Sequence, residues 1–347
     1  MNRTLQNNAS GSSGLGWLSD AYSLSVMDKP RIRRNLISGH DKRDDFELGQ
    51  YGYGKSSVKL LHVRRHDKLR HEIREYEIDI YLHLSSQNDY KYGDNRQVIA
   101  TDSQKNTIYI LAKRHGVSSP EGFAMLLTGH FLEQYPQVDE VNVKIEEYPW
   151  SRQRIGSAQH SHAFVMTPDA SRFCQVSQRR AEPPAIRGGL KGLRLLKTTQ
   201  SSFADFVQDD YRTLADANDR IFSTIVTASW CFSTHLDVDF DRVCRIVRQC
   251  IVEEFAGPAE TGVYSSSVQN TLYLAERSVL AKVRQISSIE MKMPNKHYFP
   301  FDFSKFPRLV ESLSGDQDRD VYVPQDNPSG VIYAQLNRKQ PLTSSKL

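Results

Sequence analysis

The chain has 347 residues, 39% hydrophobic and 10% aromatic, enough apolar material for one large core or two medium ones. Its net charge of +4 is spread over 45 basic and 41 acidic residues, too weak a bias to point to nucleic acid. No apolar run approaches the roughly 20 residues that span a bilayer, so no membrane partner is expected.

Residues 1–46 are rich in Asn, Ser, Gly and charge without sustained periodicity, the composition of a disordered extension. A strand is expected over Ser57–Arg64, with Lys55 just before it and next to Gly54; taken alone, Lys55 reads as a solvated lysine. A second strand over Tyr76–Leu84 carries Tyr76, Ile78, Ile80, Leu82 and Leu84 on one face.

Two helices follow. The first has a start signal at Asp102 and Ser103, whose short oxygen side chains suit orphan amides. Thr101 stands between an apolar strand and that helix, where amides and a hydroxyl can converge on an oxygen-rich ligand. The second helix has Ser119 as cap, Pro120 at its first position, then Glu121, and buries Phe123, Leu126, Leu127 and Phe131. A closing strand alternates Val141, Val143 and Ile145.

Farther on, Arg152, Arg154, Arg179, Arg180, Lys191 and Arg194 form a basic series that reads as a solvated face, since no RNA-binding signature accompanies it. His160 and His162 have a spacing that would put both on one face of a strand, a candidate metal-ligand pair without a third Cys or His nearby. The segment SSFADFVQDDYRTLADANDRIFST carries Phe203, Leu214 and Arg220 and reads as an amphipathic helix with a surface arginine.

A long helix from about Asp237 to Phe255 buries Phe240, Val243, Val247, Ile251 and Phe255. Ser265–Ser267 signals another helix start ahead of Val268 and Gln269. The last clear strand alternates Ile289, Met291 and Met293, and Asn295 and His297 follow it in PNKHYF. Cys174, Cys231, Cys244 and Cys250 lack the spacing of a metal site or disulfide framework and are expected as reduced thiols.

NTIYILAK at 106–113 is echoed by NTLYLAER at 270–277, and in both halves an alternating strand around a lysine follows, Lys144 or Lys292. Two related α+β halves are therefore expected, divided as 47–158 and 159–338, with open sheet edges that favour closure in an oligomer. A polar tail, 339–347, ends in Ser345, Lys346 and Leu347, the tripeptide read by the peroxisomal import receptor.

The words YGK, ATDSxKNTIY, VNVKIEEYPW, TLxxxxDRxxST, SVQxTLY and PNKHYF, in that order and with the terminal SKL, resemble the urate oxidase (uricase) family from about residue 50 onward. The resemblance implies a tandem T-fold, a homotetramer forming a tunnel, active sites at subunit interfaces, and no metal or organic cofactor. It also implies the oxidation of urate by O2 and water to 5-hydroxyisourate and hydrogen peroxide. Substrate contacts would come from Thr101, Asp102, Phe203, Leu214, Arg220, Val268, Gln269 and Asn295.

By the same resemblance, Lys55, Thr101 and His297 would move protons, with Lys55 and Thr101 supplied by the neighbouring subunit. Thr101 and Asn295 would hold O2 or water, and the repeated NT(I/L)Y(I/L) would mark equivalent helices of the two units. The residue chemistry suits the task. Arginine's planar fork matches a carbonyl and an adjacent ring nitrogen, a carboxamide reads the opposite edge, and a phenyl ring stacks on a flat heterocycle. The alternative is a metal-dependent T-fold enzyme acting on a pterin or guanine nucleotide through His160 and His162.

Overall fold

The computed structural model describes residues 46–306 and 320–339. The expected N-terminal extension, apart from Phe46, and the Ser345–Leu347 signal lie outside the described residues. From Gln50 onward the chain builds an eight-stranded antiparallel sheet in the order β1-β2-β3-β6-β7-β8-β9-β10.

In sequence, β1 (Tyr53–Arg65) and β2 (His71–Leu84) form a hairpin, followed by the short α1 (Asn88–Tyr92), then α2 (Thr101–His115) and α3 (Pro120–Gln134). Next come β3 (Val138–Glu147), a two-stranded hairpin of β4 (Trp150–Ile155) and β5 (Ala158–Met166), and β6 (Ser171–Arg179). The second half has β7 (Ala185–Lys197), β8 (Phe222–Phe232), α4 (Phe240–Ala256), α5 (Val268–Lys282), β9 (Ile286–Pro300) and β10 (Tyr322–Asn337).

Alternation fixes which face is covered. Tyr76, Ile78, Ile80 and Leu82 of β2 are fully buried, and the β3 partners of the last three, Ile145, Val143 and Val141, are buried with them. Directly opposed residues share a face, so this apolar side continues through Cys174 and Val176 of β6 to Ile186 and Leu190 of β7, and on to Met291 and Met293 of β9. Each such aliphatic contributes about 1.5–3 kcal/mol on burial. Helix α2 covers β1, α3 covers β3 and β6, α4 covers β7, and α5 covers β9 and β10. Two hydrophobic cores result, one under α2 and α3 and one under α4 and α5.

The caps behave largely as the sequence indicates. Ser119 accepts from the amide of Gly122 at 3.1 Å, and Ser267 accepts from the amide of Asn270 at 3.1 Å. Helix α4 starts at Phe240, three residues after the expected Asp237, and is capped by Asp239; its five expected apolar residues are all buried. Helix α2 differs: Thr101 is its first residue, Ala100 precedes it, and no side chain caps it. Asp102 instead turns its carboxylate to Lys105 and Asn106, at 2.7 and 3.0 Å.

Several expectations are corrected. Residues 98–100 are not a strand, and the segment 201–221 is an irregular loop rather than a helix. Strand β1 begins early enough to contain Lys55, and β9 runs far enough to contain Asn295 and His297. Pro294 lies inside β9 where the β8 ladder is interrupted between Thr224↔Asn295 and Thr227↔Lys292 without a change of register, as a residue with no amide to donate requires.

The echoed NT(I/L)Y(I/L) does not mark equivalent helices: its first copy lies in α2, the first helix of its pair, and its second in α5, the second of its pair. The alternating strands β3 and β9 do occupy corresponding places. The expected division at 158/159 falls at the tip of the β4–β5 hairpin, and β6 beyond it pairs with β3.

A partly buried ionic network ties the halves together. Arg172 of β6 reaches Glu121 at the start of α3 at 2.6 Å and Asp241 of α4 at 2.5 Å, while Arg74 of β2 joins Asp241 and Glu147. Burial pushes the Glu121 and Glu147 carboxyls upward, and the arginines oppose that shift. All four cysteines are free, and no described helix is long and apolar enough to cross a membrane.

Candidate active site

The sequence-predicted residues gather into two groups. The first lies at the β1 edge of the sheet. Gly54 lets β1 approach β2 closely, since a Cβ there would stand 1.8 Å from the Ile80 carbonyl oxygen. A β-bulge follows between Lys55 and Val58, with the amide of Ser57 donating to Asp79 at 2.7 Å. Residues three apart in a regular strand face opposite ways. The bulge instead sets Lys55 opposite Ile80 and Val58 opposite Ile78, on the helix-covered side.

Nearby, the Tyr53 hydroxyl accepts from the amide of Ile99 at 2.9 Å, and Gln104 donates to the Ile99 carbonyl at 3.1 Å. These bonds hold the approach to Thr101. The positive charge of Lys55 contributes to holding the Asp102 carboxyl below its usual range, after the larger effect of its Lys105 partner. Lys55 and Thr101 are both half-buried, and the uncapped amides of the first turn of α2 are left for solvent or a ligand.

The second group is assembled by the 198–221 loop, α5 and β9. Thr199 and the amide of Gln200 both donate to Asp219, each at 2.7 Å, closing the loop's base. Phe203 and Ala217 exchange backbone bonds of 2.7 and 2.8 Å, and the Arg220 amide donates to the Ser201 carbonyl at 2.8 Å. These bonds account for the absence of a helix: the backbone groups pair across the loop.

Arg220 is half-buried with its guanidinium carbon 5.2 Å from the Phe203 ring centroid, and Nε donates to the Ser202 carbonyl at 3.3 Å. Burial lowers its pKa. Phe203 also stacks on Phe206 at 4.6 Å and has Arg212 at 5.1 Å, so its ring is engaged within the chain. Arg212 Nε in turn donates to the Leu214 carbonyl at 2.9 Å.

Ser202 bonds the Ser265 and Ser266 carbonyls, bringing the loop against the segment that enters α5, where Val268 is buried and Gln269 exposed. On β9, His297 is half-buried and its pKa is lowered, first by burial and then by the charge of Arg220. Asn295 pairs with Thr224 across the ladder, and Thr224 is fully buried with its hydroxyl unpartnered. Sequence reasoning gave no part in the site to Thr224, Ser201 or Ser202 and read Ser265 only as a helix-start signal, because small hydroxyl residues carry no periodic signal.

The two groups do not meet within one chain. Six strand spacings separate β1 from β9, roughly 30 Å along the sheet.

His160 and His162 lie on β5 with ring centroids 4.7 Å apart, and Nδ1 of His160 accepts from the amides of His162 and Ala163. Among the described residues no group of three His, Cys, Asp or Glu could hold a metal ion. The basic series is used internally: Arg152 bonds three carbonyls, Arg180 bonds Tyr135 and Val138, and Arg179, Lys191 and Arg194 pair with acids.

A family model described as Uricase matches residues 51–177 and 186–333. The chain belongs to the uricase family. It is 44% identical to the uricase of Drosophila virilis over 340 residues, covering 92% of this chain and 98% of that one. It is likewise 44% identical to the uricase of Oryctolagus cuniculus over 298 residues, covering 86% and 97%. The crystal structure of uricase from Arthrobacter globiformis matches with a TM-score of 0.76 at 34% identity, over 86% of this chain and 96% of that one. The α+β architecture is the tandem T-fold of that family. The metal-dependent pterin or guanine-nucleotide reading draws no support from these matches.

Proposed function

We propose that this protein is a urate oxidase that converts urate, O2 and water to 5-hydroxyisourate and hydrogen peroxide without a metal or organic cofactor. The observation that carries the reading is Arg220: a half-buried guanidinium beside Phe203, anchored through Nε to a neutral carbonyl. Its terminal N–H groups suit a flat anion bearing a carbonyl next to a ring nitrogen. Gln269 reads the far edge, Val268 and Leu214 bound the rim, and urate takes the Phe203 face by displacing Phe206 or Arg212.

Urate deprotonated a second time is rich enough in electrons to reduce O2 itself, so the protein's work is proton removal and shelter from water. Lys55 takes the proton through the Thr101 hydroxyl, the first-turn amides of α2 beside Asp102 favour the resulting anion, and Asn295 holds O2 and then water. His297, kept neutral by burial and by Arg220, accepts or returns a proton at neutral pH. The two electrons and two protons leave as hydrogen peroxide, and water adds the hydroxyl at C5.

We place the complete site between chains. If the edge of β1 that is open among the described residues pairs with the corresponding edge of β10 on a neighbour, Lys55 comes within two strand spacings of the neighbour's β9, roughly 10 Å. A homotetrameric tunnel built this way leaves no sheet edge open. We also read Ser345-Lys346-Leu347 as the address for the peroxisomal import receptor.

The test is loss of urate absorbance by the purified protein under air and under argon, with a chelator present. Air-dependent, chelator-resistant turnover is expected. Chelator-sensitive or oxygen-independent turnover overturns the reading.

A further inference from the structure

Lys197, the last residue of β7, performs no step in the chemistry above, yet its ammonium is half-buried at the root of the substrate group. It donates to the Val263 carbonyl at 2.7 Å and to Ser265 Oγ at 2.8 Å. It also lies 5.9 and 5.6 Å from the centroids of Phe222 and Phe255, whose rings pack on each other at 4.9 Å. The bonded groups are neutral oxygens and aromatic faces. Burial lowers its pKa, so the fold keeps a desolvated cation in a place where a methionine would fill the same space.

The connections of Ser265 show what this cation holds. Ser265 is buried, forms a parallel bridge with Ser201, donates its amide to the Gln200 carbonyl at 2.8 Å, and accepts the Ser202 amide at 3.2 Å. Its hydroxyl also meets that of Thr271, in the first turn of α5, at 2.9 Å. Ser201 accepts the Arg220 amide. Phe203 and Arg220 hang from one side of this knot, and Val268 and Gln269 from the other.

We propose that Lys197 is a positioning residue for the urate site: it clamps the 263–267 segment against residues 201 and 202 and so fixes the span between Arg220 and Gln269. The inference rests on the proposed urate reading. A charge-assisted pair of bonds is strong enough to set this register, and an edge-to-edge mismatch of about 1 Å weakens bidentate recognition severely. The neutral aromatic packing alone does not aim the segment.

The experiment measures steady-state urate oxidation by the full-length protein as wild type, Lys197→Met, Lys197→Arg, Gln269→Ala and the double variant Lys197→Met/Gln269→Ala. Lys197→Met is expected to raise KM for urate about tenfold while kcat stays within about threefold. Lys197→Arg is expected to recover most of that loss. Gln269→Ala, costly in the wild type, is expected to cost less than about threefold more in the Lys197→Met background, because the carboxamide is already misplaced.

An unchanged KM in Lys197→Met, or losses that multiply independently in the double variant, overturns the inference while leaving the urate reading intact. No urate turnover by the wild type overturns both. Should Lys197→Met fail to fold, Ser265→Ala removes one of the clamp's two bonds from the acceptor side and leaves the bond to the Val263 carbonyl. It is expected to raise KM about threefold, and an unchanged KM there is equally decisive.

Discussion

Gly54 and Ile80 face each other so closely that an added Cβ at position 54 would meet the Ile80 carbonyl oxygen at 1.8 Å. The contact lies one residue before Lys55 and just ahead of the bulge that aims it. Gly54→Ala therefore has to push β1 away from β2 where the proposed base is mounted. We expect a cost of about 1–3 kcal/mol, read as a lower Tm by scanning calorimetry. Urate turnover at a temperature where the variant remains folded is expected to fall by more than that loss explains.

Arg220→Ala removes the cation beside Phe203 and is expected to raise KM for urate by roughly tenfold or more. Arg220→Lys, which keeps the charge but loses the planar fork, should recover only part of the loss. Steady-state kinetics on both variants check this, and unchanged kinetics in Arg220→Ala would contradict the placement.

Lys55→Met keeps the length of the side chain but not its basicity. We expect kcat to fall about 10²-fold while competition by xanthine, which reports binding alone, stays close to the wild-type value. Full activity in this variant would remove lysine from the mechanism.

Much of this arrangement is legible in the sequence where one physical signal dominates. Alternation over Tyr76–Leu84 marks a strand with one dry face, Ser119-Pro120 marks a helix start, and the helical spacing from Phe240 to Phe255 marks a buried stripe. The segment carrying Phe203 and Arg220 reads as a helix but folds as a loop. Its apolar spacing is helix-like, but Asp219 and the Phe203–Ala217 bridge satisfy the backbone by contacts made across the loop. Tertiary pairing of this kind leaves no periodic trace. The echo of NTIYILAK in NTLYLAER misleads for another reason: in both helices a threonine hydroxyl bonds the carbonyl four residues back, Thr107 to Ser103 and Thr271 to Ser267. Similar local needs favour similar words at positions that do not correspond.

Glu276 of α5 is buried, with one carboxylate oxygen unpartnered, and burial pushes its pKa up to about 8. An unfolded glutamate releases its proton near 4.5. Between these values the folded chain holds more protons than the unfolded one, so stability falls as pH rises through that window and levels off above it. Glu276→Gln lacks this titration. Its Tm advantage over wild type is expected to grow by roughly 3–5 °C from pH 5 to pH 8, measured by thermal melts in matched buffers. A constant difference across that range would contradict a carboxyl held neutral by burial.

The separation of β1 from β9 by six strand spacings has a consequence for heredity as well as for chemistry. On the proposed shared site, a Lys55→Met chain and an Arg220→Ala chain each lack a different half of the machinery. Co-expressed, they should pair so that the sound lysine of one meets the sound arginine of the other, restoring one working site for every mixed junction. Two alleles that are each nearly silent would then complement, with activity well above the sum of the separately purified variants. Merely summed activity would place all the chemistry within a single polypeptide.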